Sequence, residues 1–581
     1  MPTIPLPVRA LVAVIALVPF VAFGQVRPHA PEPPSRWTGK APVQARHWMV
    51  AAAHPLAVDA GYRILSQGGS AVDAAIAVQL VLGLVEPQSS GIGGGAFMLV
   101  HDARSKRLVA YDGRETAPAA ARPDRFLKNG RPLDFYDAVI GGKSVGVPGV
   151  VRLLEASHRK HGRLAWSRLF EPAIALAENG FPMSPRLHHL AGLERYITQP
   201  RLRAYLYDGN GKVLPEGTVL RNPAYAKTLR AIARGGARTF YEGDIARDIV
   251  ETVARHPWNP GDLTLGDLAA YTVVVRDPVC GTYRVYRVCG FPMPSSGGTA
   301  VLQMLKMLER FDMASLAPAS FFAVHFVSEA GRLAFADRSV YAADPAFYTP
   351  PAGLLDEAYL RERAMLIAPD ASMGHAQAGS PPGVVEPRKA ADASIEFPST
   401  SHISIVDREG NAVAMTTSIE DQFGSRLMTA GGFLLNNELT DFSFVPDIDG
   451  VAVANRVEPR KRPRSSMSPT IAYDGSGRVA IVTGSPGGSS IINYVVKSLV
   501  AIIDWQLDPQ AAASLPNFGS RNGPTELEAD TQVAALVPKL RAIGAEVAVV
   551  PLTSGVHTIV RTRDGWLGGA DPRRDGVARG Q

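Results

Sequence analysis

A chain of 581 residues, 46% hydrophobic and 20% charged, has enough apolar material for a large core and falls among ordinary globular proteins rather than disordered ones. Length alone suggests about three to four domains, although large layered α/β proteins often depart from that rule. The formal charge of +6 is thinly spread. Its densest basic run, residues 456–464 (RVEPRKRPR), has no interleaved aromatic residue to stack on a base; nucleic-acid binding is unsupported, and a solvated loop is the expectation.

Arg9 precedes an apolar run over residues 10–23, and Ala22-Phe23-Gly24 places small residues where a signal peptidase cuts. The run is short for a membrane span and Pro19 interrupts it, so residues 1–24 are expected to be a signal peptide and the protein periplasmic or secreted. Helical spacing follows over residues 54–67 and 70–84, divided by Gly68-Gly69. Strand-like alternation over 96–101 and 108–112 flanks a charged turn. Residues 166–178 are predicted helical, with Asn179-Gly180 as a stop, and so are residues 320–336, with Phe322, His325, Phe326, Leu333 and Phe335 as core positions. The only cysteines, Cys280 and Cys289, flank alternating sequence and face each other if a turn falls midway; a disulfide and two buried thiols remain equal alternatives. Neither a CxxC pair nor HExxH is present, and no metal or cofactor is implied.

From Gly374 to Ser399 the chain is rich in Ala, Ser, Pro and Gly, an expected exposed linker of the kind that tolerates a backbone cut. The strongest hairpin signal follows: residues 402–407 alternate, Arg408-Glu409-Gly410-Asn411 turns, and residues 412–418 return. With the turn centred near Glu409, Thr400 and Ser418 fall opposite each other, a pairing that also occurs for sheet stability alone.

Two glycine motifs fail on context. Gly91-Ile92-Gly93-Gly94-Gly95-Ala96 matches a dinucleotide pattern, but it follows a helix and precedes a strand, the reverse of the required order. Gly142-Lys143-Ser144 resembles the end of a P-loop, yet Asp137 stands where the first glycine belongs. Gly484-Ser485-Pro486-Gly487-Gly488-Ser489, between a strand-like and a helix-like run, is either a tight turn or a set of free N–H groups for a phosphate or an oxyanion. Arg114 is either a surface ion pair or a ligand clamp.

In chain order, Gly91–Phe97, Arg114-Glu115-Thr116-Ala117-Pro118, Ser144-Val145-Gly146-Val147-Pro148-Gly149, Thr400-Ser401-His402-Ile403-Ser404, Gly410-Asn411-Ala412-Val413, Phe423-Gly424, Asn436-Asn437-Glu438, Ser465-Ser466-Met467-Ser468-Pro469-Thr470 and Gly484–Ser489 together resemble the γ-glutamyltransferase family over nearly the whole mature chain. The resemblance implies an α+β fold of the N-terminal nucleophile hydrolase type, a four-layer αββα sandwich. It implies a precursor cut between Ser399 and Thr400 into a large subunit (residues 25–399) and a small one (400–581) that stay together as a heterodimer. It implies Thr400 as the nucleophile, Ser418 as its hydroxyl partner, and Gly487 and Gly488 as the oxyanion hole. Arg114, Ser465 and Ser466 would hold a substrate α-carboxylate, Glu438 and Asp441 an α-ammonium, and Glu420 would line the glutamyl site. The partners implied are a glutathione-like γ-glutamyl donor and water, an amino acid or a peptide as acceptor.

Two departures bear on substrate. The stretch between Asp441 and Ser465 is shorter than in relatives that fold a lid carrying a gating Tyr, and no aromatic residue lies between Phe444 and Tyr473, so a more open site is expected. Ser418 stands where Thr is usual, which removes a methyl and keeps the hydroxyl. The alternatives are an acylase of the same fold acting on glutaryl-type β-lactam or other amides, and a secreted binding protein that lost catalysis.

Overall fold

The computed structural model describes residues 36–385, 389–394 and 396–581; the leader expected over residues 1–24 lies outside them. Ser70 opens the helix Ala71–Val85 with a capping box, its Oγ accepting from the Asp73 N–H at 3.1 Å while Asp73 accepts from the Ser70 N–H at 2.9 Å. The preceding helix, Pro55–Ser66, is capped by His54, and Gly68 at φ 86° makes the break between the two. The predicted helix over 166–178 is a 3-10 turn, Trp166–Phe170, and then a helix, Glu171–Asn179, because Pro172 has no N–H to continue the first turn and favours a new helix start. The helix expected over 320–336 runs Phe321–Tyr341; His325, Phe326, Leu333 and Phe335 are buried, whereas Phe322, a predicted core residue, is 44% exposed.

These helices cover two antiparallel sheets, each of seven strands among the described residues. The first has the spatial order Val577–Gly580, Met49–Ala52, Thr400–Val406, Ala412–Ser418, Gly95–Asp102, Arg107–Gly113 and Val274–Arg276. The second runs Val43–Ala45, Gly565–Ala570, His557–Thr562, Val479–Thr483, Thr470–Tyr473, Tyr286–Gly290 and Val279–Tyr283. Helices Pro55–Ser66 and Ala71–Val85 pack on the outer face of the first sheet; Gly297–Leu308 lies on the second, with Phe321–Tyr341 and Ile491–Ile503 beside it. The order is αββα, as the resemblance implied, and not the three or four domains suggested by length.

Alternation explains how one strand serves two cores. Val50, Ala52, Met98, Val100, Ile403, Val413 and Met415 point into the helix-side core, while Met49, Ala51, Phe97, Leu99, Ala412 and Ala414 point between the sheets. Both faces being buried, these strands are largely apolar, and their buried polar residues are hydrogen-bonded: His402 with Thr416 Oγ1 at 2.9 Å, Ser404 Oγ to the His557 carbonyl at 2.9 Å and Thr417 Oγ1 to that of Gly95 at 3.2 Å. Each sheet draws strands from both sides of residue 400, so the ranges 36–399 and 400–581 interleave rather than stack as separate bodies.

Cys280 and Cys289 face each other across the hairpin Val279–Tyr283/Tyr286–Gly290 and are joined as a disulfide, which resolves that alternative. The basic run at 456–464 departs from its expected solvation. Lys461, Arg462 and Arg464 are buried, with Lys461 on Glu458 (2.9 Å), Arg462 on Asp112 (3.4 Å) and Arg464 on Asp392 (3.1 Å). A charge run looks solvent-facing until acids distant in sequence fold over it. No helix among the described residues is long and apolar enough to cross a membrane.

Candidate active site

The hairpin register pairs Thr400 with Ser418 directly, as the count of residues predicted. Asp407 fixes the turn, its Oδ1 accepting from the N–H groups of Glu409 (3.1 Å) and Asn411 (2.9 Å) while Gly410 takes φ 87°. Thr400 Oγ1 donates to Ser418 Oγ at 3.2 Å, and Ser418 Oγ donates to the carbonyl oxygen of Ser399 at 2.8 Å. A hydroxyl chain thus connects Thr400 to the carbonyl of its own preceding peptide bond. The Glu420 N–H donates to Ser418 Oγ at 2.9 Å, Ser399 Oγ donates to the Gln88 carbonyl at 2.5 Å, and Arg574 Nη1 donates to the Thr400 carbonyl at 3.3 Å. The junction expected to be exposed is therefore buried, with Ser399 at 0% and Thr400 at 3% exposure. Composition around residues 374–394 resembles a linker, but residues 396–399 are packed into the fold.

Arg114 is no surface residue. Its buried guanidinium bonds Glu438 and Asp441 (2.5 Å to the latter) and donates to the carbonyls of Pro463 (3.1 Å) and Arg464 (2.6 Å). Burial pushes the carboxyls of Glu438 and Asp441 upward, against the pull of Arg114. Burial and the charge of Glu438 push Glu115 well up, and burial with the charges of Asp441, Asp421 and Glu438 does the same to Glu420. Glu438 Oε2 and Asp441 Oδ1 accept from no N–H or hydroxyl of the described residues; Glu438 instead meets the carboxyls of Glu115 and Asp441, contacts that hold through shared protons while burial raises all three.

The two serines expected beside Arg114 are placed differently from each other. Ser465 Oγ accepts from the Met467 N–H at 3.1 Å within its own loop. Ser466 Oγ donates to Glu396 Oε2 at 2.5 Å and accepts from Arg338 Nη2 at 2.8 Å. Glu420 sits in the left-handed region at φ 76° and accepts from the Phe397 N–H at 3.0 Å; Asn437 also bonds it. A non-glycine residue in that region costs free energy and is held there by its surroundings.

The turn between Val479–Thr483 and Ile491–Ile503 carries Gly487 at φ 137° and Gly488 at φ 55°. A Cβ on Gly488 would lie 2.7 Å from the Glu396 carbonyl oxygen and 2.9 Å from that of Phe397; one on Gly487 would lie 2.5 Å from the Tyr494 ring. Gly488 thus has no room for a side chain against residues 396–397, and Gly487 none against Tyr494. Gly488→Ala is expected to lower the unfolding free energy in urea by about 1 kcal/mol or more. An unfolding free energy equal to the wild type would sink this.

Gly91–Ala96, rejected as a nucleotide motif, supplies close packing: a Cβ on Gly93 would lie 2.0 Å from the Leu434 carbonyl oxygen and one on Gly94 2.1 Å from that of Ser418.

With this geometry, the sequence model of the gamma-glutamyltranspeptidase family matches residues 57–581. The chain belongs to the gamma-glutamyltranspeptidase family. It is 36% identical over 545 residues to the glutathione hydrolase proenzyme of Bacillus subtilis (strain 168), covering 92% of this chain and 91% of that protein. It is 35% identical over 545 residues to the acylase ACY 1 proenzyme of Pseudomonas sp. (strain V22), covering 91% and 93%. Among solved structures, cephalosporin acylase from Bacillus halodurans superposes with a TM-score of 0.82 at 27% identity, over 94% of this chain and 97% of that one. Helicobacter pylori gamma-glutamyltranspeptidase gives 0.55 at 34% identity, over 61% of this chain and 100% of that one. The fold is that of the N-terminal nucleophile hydrolases, and the protein is an enzyme of the γ-glutamyltransferase and glutathione-hydrolase type.

Several residues of this family member escaped sequence reasoning. Gln88, Arg338 and Arg574 reach the Thr400 region from distant points of the chain, and Glu396 and Phe397 stand just before it. None stands in a pattern whose spacing signals the contact.

Proposed function

We propose that the enzyme cuts itself between Ser399 and Thr400 and then hydrolyses or transfers γ-glutamyl groups through an ester on Thr400. The hydroxyl chain from Thr400 Oγ1 through Ser418 Oγ to the Ser399 carbonyl carries this reading. In the cut, Thr400 Oγ attacks the Ser399 carbonyl carbon, Ser418 Oγ donates to the oxygen as charge develops, the C–N bond breaks and the nitrogen takes the proton. Water then hydrolyses the Ser399–Oγ ester, leaving a Ser399 carboxylate and returning the Thr400 hydroxyl beside the α-amine that the acyl shift has already released. The interleaved strands keep the ranges 25–399 and 400–581 associated as large and small subunits.

In turnover the α-amine, with a reference pKa of about 7.7–8.0, takes the Thr400 hydroxyl proton as Oγ attacks the γ-carbonyl. The leaving amine is protonated, and water or an amino-acid or peptide amine attacks the ester. Gly487 and Gly488 would stabilise the oxyanion, Arg114 with Ser465 and Ser466 would take the α-carboxylate, Glu438 and Asp441 the α-ammonium, and Glu420 the wall of the glutamyl pocket. The disulfide supports a signal peptide over residues 1–24 and a periplasmic or secreted location. The test is N-terminal sequencing of the small fragment with a γ-glutamyl-anilide assay on the same sample. A fragment that begins elsewhere, or a cut protein without turnover, refutes the reading.

The acylase relatives favour a second reading, deacylation of glutaryl-type amides. A glutaryl group has no α-ammonium, so Asp441→Ala is expected to cut γ-glutamyl-anilide turnover by about tenfold or more and to leave glutaryl-anilide turnover within about twofold. Equal losses on both would remove the distinction.

A further inference from the structure

Residues 396 and 397 touch three of the features expected to bind substrate: Ser466, Glu420 and Gly488. The Glu396 carboxylate accepts from Ser466 Oγ at 2.5 Å, bonds Arg338 Nη2, and lies 3.4 Å from Arg464 Nε. These partners are themselves buried and oriented: Arg338 Nε donates to Ser296 Oγ at 2.8 Å, and Arg464 Nη2 donates to Ser394 Oγ at 3.0 Å. One residue on, the Phe397 ring lies 4.2 Å from that of Phe135 and 6.5 Å from that of Tyr136; the Phe444 ring is stacked on Phe135 at 6.4 Å, and Tyr136 on Tyr196 at 4.6 Å. The Phe397 N–H meets Glu420, and the backbone of both residues lies against Gly488.

In the uncut chain this pair is held covalently. Once the bond after Ser399 is broken, residues 396–399 are a chain end held by side-chain contacts and hydrogen bonds alone. A cleft open to substrate requires that end to withdraw, and a cavity of about 670 Å³ lined by Arg338, Ser394, Glu396, Ser489 and Arg521 lies beside it. Withdrawal leaves Arg338 and Ser466 without their anion and strips the cover from the half-buried rings of Phe135 and Tyr136.

We propose that Arg338, Arg464 and Ser466 with the rings of Phe135, Tyr136 and Phe444 form a recognition site for an acidic residue followed by an aromatic one, filled in the uncut chain by Glu396-Phe397. The ligand class is an anionic peptide of that pattern, and in the cut enzyme it competes with the acyl donor because it crosses Gly488, Glu420 and Ser466. This rests on the reading of Thr400 as the cleavage point and nucleophile. Charge-assisted hydrogen bonds to a buried carboxylate and the burial of one phenyl ring give each half of the pair a comparable share of the binding.

The probe is the synthetic peptide Ala-Ser-Ile-Glu-Phe-Pro-Ser, residues 393–399, titrated calorimetrically into cut wild-type protein and added to its γ-glutamyl-anilide assay. Saturable binding is expected, with KM raised and kcat unchanged. Peptides carrying Glu396→Gln or Phe397→Ala should each bind about tenfold or more weakly. The uncut Thr400→Ala chain, its site filled by its own segment, should bind none of them. No saturable binding to cut protein, equal binding of the substituted peptides, or equal binding to the uncut chain would each overturn the proposal. Cut protein that binds the peptide with this selectivity but turns over no anilide would defeat the proposed function instead; turnover without peptide binding would defeat this inference alone.

Discussion

Thr400→Ala is expected to yield a single uncut polypeptide with no measurable γ-glutamyl-anilide turnover. The substitution removes the hydroxyl and a methyl, and both steps of the proposed function need that hydroxyl. In the uncut chain Oγ1 is the atom beside the Ser399 carbonyl, joined to it through Ser418 at 3.2 and 2.8 Å. In the cut enzyme the same oxygen would carry the acyl group, and no α-amine exists without the cut. Fold stability should change little, because the threonine methyl and hydroxyl occupy a strand end whose backbone pairing with Ser418 and neighbours is unaffected. A denaturing gel, a thermal melt and an activity assay separate the possibilities. If the Ala variant were still cut at the same bond, Thr400 would not be the attacking group; if it were uncut because misfolded, the melt would lack a cooperative transition. Ser418→Ala makes a graded control. It breaks the relay but keeps Thr400, so cutting should slow by about tenfold to a thousandfold rather than stop.

The second large effect is expected at Arg114. Arg114→Met should lower the stability of the uncut chain by about 3–5 kcal/mol, because it leaves Glu438 and Asp441 buried without their cation. Part of that cost is avoided if the carboxyls take up protons, which burial already favours for Glu115 and Asp441. The loss should therefore be smaller at pH 5 than at pH 8: removing the cation raises the folded-state carboxyl pKa values further, so the folded variant binds more protons than the unfolded chain and loses stability as pH rises. Urea unfolding at the two pH values reads this directly. Arg114→Lys keeps the charge and loses the planar fork that serves two carboxylates and two carbonyls at once. It should recover much of the stability but little of the γ-glutamyl turnover, which removes misfolding as an explanation for inactivity. A Met variant as stable as the wild type at pH 8 would contradict the buried-cluster account.

The sequence was informative where a short segment dictates its own geometry. Counting outward from Arg408-Glu409-Gly410-Asn411 pairs Thr400 with Ser418, because an antiparallel hairpin has one register once its turn is set. The break at Gly68 is local too, and so is the facing of Cys280 and Cys289 across a hairpin, although only the structure joins them as a disulfide. The motif order from Gly91 to Ser489 identified the family without any geometry. These features depend on neighbours within about ten residues or on an inherited pattern.

Tertiary structure decided the rest. Residues 456–464 have the composition of a solvated loop, yet Arg462 and Arg464 are buried, because Asp112 and Asp392 come from chain segments far away in sequence. Phe322 has helical spacing with the core residues of Phe321–Tyr341 but lies at the first turn, where the helix emerges from the core and leaves it 44% exposed. The junction before Thr400 reads as a linker by composition, and it is buried because Gln88, Ser418 and Gly488 close around it. What local sequence determines about this protein is which atoms stand at positions 400 and 418 and that they face each other. Whether the bond between Ser399 and Thr400 is open to solvent or clamped in a polar cleft depends on long-range packing, and long-range burial leaves no periodic mark in the residues being buried.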